Sequence, residues 1–218
     1  MNFFGNFLIT LNFLVYCILF IKPDTLSKNL TTNYNIEQDT IVDVGGKTAM
    51  FIGDSHTANH TLGWQTIVCK KTKMKMNNLS VSGKTTYWML EIALYSIRPN
   101  TDYCFIYGGA NDMYSSSITP EEAVNNIKGI VKICKGNGVH AVILTGFSPT
   151  ITNTTNPNYI PKYKKFQRLL LDGIEGATVI DTRVVSKSDC WDNLCHMAPS
   201  GHRKIAECVI KQMKFKTY

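Results

Sequence analysis

From Thr48 onward the chain alternates short apolar runs with longer amphipathic ones, and this rhythm narrows the available folds more than any other feature. Ala49–Ile52, Met76–Val81, Tyr103–Tyr107, Ala141–Leu144 and Ala177–Asp181 read as strands. Between and after them, His60–Lys71, Tyr87–Ile97, Thr119 to about Lys135, Tyr159–Ile174 and Pro199–Met213 carry apolar residues at helical spacing. The third helix is the best marked. Thr119 caps it, Pro120 fits its first turn, Glu121 and Glu122 meet the positive end of its dipole, and Gly136-Asn137-Gly138 stops it. Strands separated by helices pair in parallel, so the expected class is α/β, a three-layer α/β/α sandwich around a central five-stranded parallel sheet. Sites in such sheets lie at the carboxyl ends of the strands, near the point where strand order reverses. The residues just after each strand are therefore the informative ones.

The chain ahead of Thr48 differs in character. Phe3–Ile21 carries no charge and is dense in Phe, Leu and Ile until Lys22, Pro23 and Asp24 interrupt it. That stretch could cross a bilayer as a helix, but it has no basic start and no convincing small-residue cleavage site. Residues 1–22 read as a signal peptide or a transmembrane anchor, which implies a secreted or membrane-anchored protein associating with the membrane through residues 3–21. Lys22 and Lys28 after the segment argue weakly against export of the C-terminal part. Residues 23–47, polar and without period, read as a linker, and 48–218 as the folded domain.

Composition excludes other classes. The chain has 218 residues, 44% hydrophobic, with ordinary Gly and Pro counts of 15 and 7, which is neither fibrous nor disordered. Its net charge of +7 raises the question of nucleic acid, but the lysines are scattered apart from Lys70–Lys75 and Lys162–Lys165, and no groove-reading motif occurs. No phosphate loop, H-E-x-x-H helix, dinucleotide fingerprint or C-x-x-C pair is present, so no cofactor, metal or nucleic-acid partner is implied. Cys17 lies in the apolar head. Of the remaining six cysteines, Cys190 and Cys195 are the pair favoured for a disulfide.

At the strand ends stand Gly53-Asp54-Ser55, then Ser82-Gly83-Lys84, then Gly109-Ala110-Asn111-Asp112, and late in the chain His196 with Gly201 behind it. Each block alone could be a turn or a helix cap. Together, in this order, they resemble the SGNH or GDSL-type serine hydrolases over roughly Ala49–Val209, including esterase-like proteins of phage and viral genomes. The resemblance implies a flavodoxin-like SGNH hydrolase fold and a serine esterase that needs no cofactor. It assigns Ser55 as nucleophile, His196 as its base, and the Ser55 N–H, Gly83 N–H and Asn111 amide as the oxyanion hole. Gly109 and Asp112 would contact substrate. The family places an Asp three residues before its His, where this chain has Asn193; Asp192, one residue earlier, is taken as the group orienting His196, with Asn193, a backbone carbonyl or no group as alternatives. Asp54 would brace its loop, and His56, His60, His140 and His202 would be structural.

A serine hydroxyl needs a base, and an imidazole with a pKa of about 6.5 can accept its proton near neutrality and return it to a leaving alcohol. The expected reaction is hydrolysis of short-chain or acetyl esters, with carbohydrate O-acetyl groups as one substrate class. A lysophospholipase or thioesterase, an acyltransferase and a catalytically silent glycan- or lipid-binding module stay open, because fold does not choose substrate. The Thr- and Asn-rich stretch Thr145–Pro161 is expected to cover the pocket and carry that choice.

Overall fold

A computed structural model of the protein describes residues 40–218, apart from 59, 60, 153 and 192–194. The apolar segment 3–21 lies outside the described residues; among those described, no helix is long and apolar enough to cross a membrane. Five parallel strands, β1 (Thr48–Gly53), β2 (Lys75–Asn78), β3 (Tyr103–Tyr107), β4 (His140–Leu144) and β5 (Ala177–Ile180), form one sheet in the order β2-β1-β3-β4-β5. Among the described residues, six α-helices connect and cover them: α1 (Trp64–Thr72), α2 (Thr86–Ser96), α3 (Ala110–Tyr114), α4 (Pro120–Gly136), α5 (Tyr159–Leu171) and α6 (Pro199–Gln212).

Strand periodicity divides the core in two. Met50, Ile52, Cys104, Ile106, Ala141 and Ile143 point to one face and pack under α2, α4 and α5. Their alternates Ala49, Phe51, Phe105, Tyr107, Val142 and Leu144 point to the other and pack under α1 and α6. Residues i and i+2 share a face, so a strand buried on both sides needs an unbroken apolar run. β2 is the exposed edge, and its residues Lys75, Met76 and Asn77 are accordingly mostly polar. Because the order reverses at β1, the chain leaves β1 toward β2 and returns to β3 on the opposite side. The crevice so opened lies between the ends of β1 and β3.

Several boundaries differ from the sequence expectation. Ordered packing begins before Thr48: Val42 bridges Phe215, Val44 is buried, and Asp43 pairs with Lys216 and accepts from Tyr218 Oη at 2.5 Å. Val42 and Asp43 thus belong to a strap against the C-terminal tail rather than to a linker, and their partners there lie some 170 positions away, beyond the reach of local pattern. α1 begins at Trp64, after Gly63, rather than at His60. α3 is too short to show a period in sequence. The capping box at Thr119 is present, with Glu122 N donating to Thr119 Oγ1 at 3.2 Å and Thr119 N to Glu122 Oε2 at 2.6 Å.

Phe105 sits at the centre of the α1/α6 side, with ring centroids 5.0 Å from Phe51, 6.1 Å from Trp64 and 6.2 Å from Tyr103. Phe105→Ala is expected to lower the free energy of unfolding by about 3–5 kcal/mol, seen as a lower urea midpoint at unchanged slope.

Candidate active site

The loop after β1 is tied to β3 before it turns. Asp54 N donates to Tyr107 O at 3.3 Å, Asp54 Oδ1 accepts from His56 N at 3.0 Å, and Asp54 O accepts from Thr57 N and Ala58 N. The turn leaves Ser55 half-buried at its tip, above the crevice. The loop before α6 brings His196 to it, with Nε2 3.1 Å from Ser55 Oγ across 141 positions of sequence.

The His196 loop is closed by backbone contacts. Cys190 and Met197 form an antiparallel bridge, Trp191 N donates to His196 O at 2.9 Å, and Ala198 N donates to Asp189 O at 2.8 Å. Asp189 holds the base: its carboxylate accepts from Ser186 N, Ser186 Oγ and, at 2.6 Å, Lys204 Nζ of α6. A Cβ on Gly201 would lie 2.6 Å from Asp189 O, so only glycine lets α6 approach this closely. The Cys190–Cys195 disulfide expected from sequence is not formed, nor is any other among the six described cysteines. Asp192 and Asn193, between which the sequence leaves the orienting of His196, lie outside the described residues.

The turn after β2 continues the sheet pairing, since Val81 N donates to Gly53 O at 3.1 Å, and then carries Gly83 at φ +77°. Asn111 stands in the first turn of α3 and donates from Nδ2 to Lys84 O at 3.0 Å, which joins the turn to the end of β3. Ser55, Gly83 and Asn111 therefore follow three adjacent strands, with direct bonds linking the segments that carry them.

Two expected substrate contacts are placed differently. Asp112 is fully buried, and both its oxygens accept from Thr86 N, with Thr86 Oγ1 donating to Oδ1 at 2.5 Å, so no atom of it reaches the crevice. Gly109 is buried at φ +103°, and a Cβ there would meet the Phe166 ring at 2.4 Å; close packing accounts for the glycine. Among the described residues, none from 145–161 lines the pocket. The start of that loop is pinned at the carboxyl end of β4, because Gln167 Nε2 donates to Thr145 O, Gly146 O and Phe147 O.

The pocket holds about 390 Å³, with Ser55 and His196 among its polar groups and Leu62, Trp191, Met197 and Pro199 as apolar wall. Leu62 and Trp191 are 58% and 55% exposed beside the Ser-His pair. Neither stands out in sequence, though a lone Trp in the polar stretch before His196 is a signal in retrospect. His56 and His202 also line the pocket; His56 packs against Tyr107 and Phe147, and His202 Nδ1 accepts from Trp64 N at 3.4 Å. His140 opens β4 and bonds Thr178 Oγ1 of β5 at 2.9 Å. Among the described residues no cluster of His, Cys, Asp and Glu could hold a metal.

This architecture is shared widely. The profile of the GDSL-like lipase/acylhydrolase family matches residues 51–204. The chain belongs to that family. It is therefore a carboxylic ester hydrolase of the GDSL type. No curated protein sequence matches it. Similar solved structures include the acetylxylan esterase Axe2 from Geobacillus stearothermophilus, at TM-score 0.64 and 16% identity over 80% of this chain and 98% of that one. Catalytic variants of that esterase, with a histidine or a serine replaced by alanine, have the same fold. A lipolytic G-D-S-L family member from Veillonella parvula matches at TM-score 0.64 and 14% identity, covering 76% and 97% of the two chains. The psychrotrophic esterase EstA from Pseudoalteromonas sp., inhibited by monoethylphosphonate, matches at 0.59 and 16%, covering 77% and 97%.

Asp54 gives this GDSL hydrolase a measurable signature. Burial pushes its carboxyl up to about 7, with Asp112 adding to the effect and the His56 N–H opposing it, and Oδ2 has no hydrogen-bond partner among the described residues. An unfolded Asp gives up its proton near pH ~4. Between that pH and about 7 the native state binds more protons than the unfolded chain, so this group's contribution is full in acid and is lost as pH rises through 7. Wild-type protein should lose stability from pH 5 to 8 relative to Asp54→Asn, read as converging or crossing melting temperatures. Parallel curves would contradict it.

Proposed function

We propose that this GDSL hydrolase cleaves small acyl esters, with carbohydrate O-acetyl groups as substrate class, through an acyl-Ser55 intermediate. The observation that carries the reading is the 3.1 Å approach of His196 Nε2 to Ser55 Oγ at the reversal point of the sheet. His196 takes the Ser55 proton as Oγ adds to the ester carbonyl. Collapse of the tetrahedral adduct breaks the bond to the alcohol, which leaves with that proton. Water, deprotonated by His196, then releases the acid and restores Ser55. Negative charge on the former carbonyl oxygen would be met by the N–H groups of Ser55 and Gly83 and by the Asn111 amide N–H that Lys84 O does not use. Asp192 is the proposed orienting carboxylate for His196. An Asn in that role would fix the ring without supplying compensating charge, a change that cost about 10⁴ in a serine protease.

Support for a sugar-bearing alcohol comes from the exposed indole of Trp191, whose flat apolar face suits the C–H face of a pyranose, and from the likeness to an acetylxylan esterase. The basic net charge of +7 also suits a substrate carrying anionic groups.

Ser55→Ala is expected to abolish hydrolysis of p-nitrophenyl acetate and labelling by a fluorophosphonate while leaving the melting temperature near wild type. Retained turnover would refute the mechanism. Asp192→Ala should lose far more activity than Asn193→Ala, and the reverse would move the orienting role to Asn193. Trp191→Ala should raise KM on acetylated xylo-oligosaccharides by roughly tenfold, as lost stacking of ~1.4 kcal/mol implies, with p-nitrophenyl acetate little affected. Preference for a lysophospholipid over acetylated glycans would instead favour the lipid reading.

A further inference from the structure

Resting on that reading of the Ser55 site, we infer that Asp112 is a positioning residue that sets the oxyanion hole from behind, by capping α2 from a different helix. The start of α2 lacks a local cap. Its N-cap Thr85 makes no side-chain cap bond, and no acidic residue occupies the first turn. Helices normally satisfy their leading N–H groups locally and favour negative charge at that end. Here both services come from Asp112 of α3, 26 positions away, which accepts from Thr86 N at 3.0 Å (Oδ2) and 3.2 Å (Oδ1). Thr86 Oγ1 donates to Asp112 Oδ1 at 2.5 Å and accepts from Asn126 Nδ2 of α4 at 3.0 Å. Thr86 and Asp112 are both fully buried, so the network is held away from competing water.

The network acts through its neighbours in the chain. Gly83 lies three residues before Thr86, and Asn111 directly precedes Asp112. Asn111 Nδ2 binds the same turn at Lys84 O. Two consecutive residues of α3 thus grip the Gly83 turn at two points, Lys84 O and the Thr86 N–H and hydroxyl. One point alone would leave the turn free to pivot. With both, the Gly83 N–H and the Asn111 amide, which belong to separate strands' ends, become one rigid pair. Substrate need not touch Asp112 for this to matter, because the donors act on charge that develops in the transition state, where misplacement is felt in kcat more than in KM.

The test measures kcat and KM for p-nitrophenyl acetate, the fluorophosphonate labelling rate and thermal unfolding of the full chain carrying Asp112→Asn, Thr86→Val or Thr86→Ser. Asp112→Asn is expected to lower kcat and the labelling rate roughly 10- to 100-fold with KM within about twofold, since a shift on the order of 1 Å can cost about 10² in rate. Thr86→Val should fall between it and wild type, and Thr86→Ser, which keeps the hydroxyl, should restore kcat. A folded Asp112→Asn with wild-type kcat overturns the inference. Should Asp112→Asn not fold, equal kcat for Thr86→Val and Thr86→Ser overturns it. Wild-type hydrolysis that survives Ser55→Ala refutes the underlying mechanism and this inference together, whereas Ser55-dependent hydrolysis indifferent to Asp112 refutes only the latter.

Discussion

Strand β1 pairs in parallel with β2 on one edge and β3 on the other, and its side chains are buried on both faces, so its register is the constraint on which the site depends. Gly53 opposite Tyr107 brings the two strand ends level. A slip of one residue would exchange Phe51 with Met50 across the sheet and turn every apolar side chain into the wrong layer. The two cores therefore hold the Ser55 loop at a fixed height relative to α3. Precision at the site is inherited from packing far beneath it, where Phe51, Phe105 and Trp64 interlock.

The strand ends also concentrate polar groups that a core would otherwise exclude. Asp54 and Asp112 are both fully buried, and burial pushes both carboxyls upward. They are handled differently. Asp112 has its lone pairs engaged by Thr86, which offsets part of the desolvation, while Asp54 uses Oδ1 on its own loop and leaves Oδ2 unpaired. An apolar residue at either position would relieve the burial penalty. It would also leave the His56 N–H or the Thr86 N–H without an acceptor, and each of those fixes a segment that lines the crevice.

Layer architecture was legible in the sequence because it is a local property: strand and helix periods are written in residues one to four positions apart. The edge at β2 and the late start of α1 departed from expectation where that pattern is weak, in the polar Lys75–Asn78 run and ahead of Gly63. The site was legible only through the order of its blocks, since nothing local in Gly53-Asp54-Ser55 points to His196. Partnerships across long separations escaped entirely: Val42 with Phe215, Asp112 with Thr86, Asp189 with Lys204. So did the burial of Asp112 and Gly109, which as residue types suggest a turn open to ligand. A sequence states that a carboxylate is present, but its role depends on what faces it.

The loop carrying His196 makes the same point from the opposite side of the crevice. A covalent staple between Cys190 and Cys195 would constrain it chiefly by limiting the unfolded chain. Instead the loop is held in the native state by the Cys190–Met197 bridge, the Trp191–His196 backbone bond and the anchoring of Asp189 on α6. These contacts hold the backbone at Cys190, Trp191, His196 and Met197, while the Trp191 side chain stays exposed beside the pocket. The division suits an esterase whose chemistry must be invariant and whose alcohol partner must not be: the α3 clamp and the Asp189 anchor fix the reacting groups, and the exposed apolar wall beside them is where substrate choice can be written.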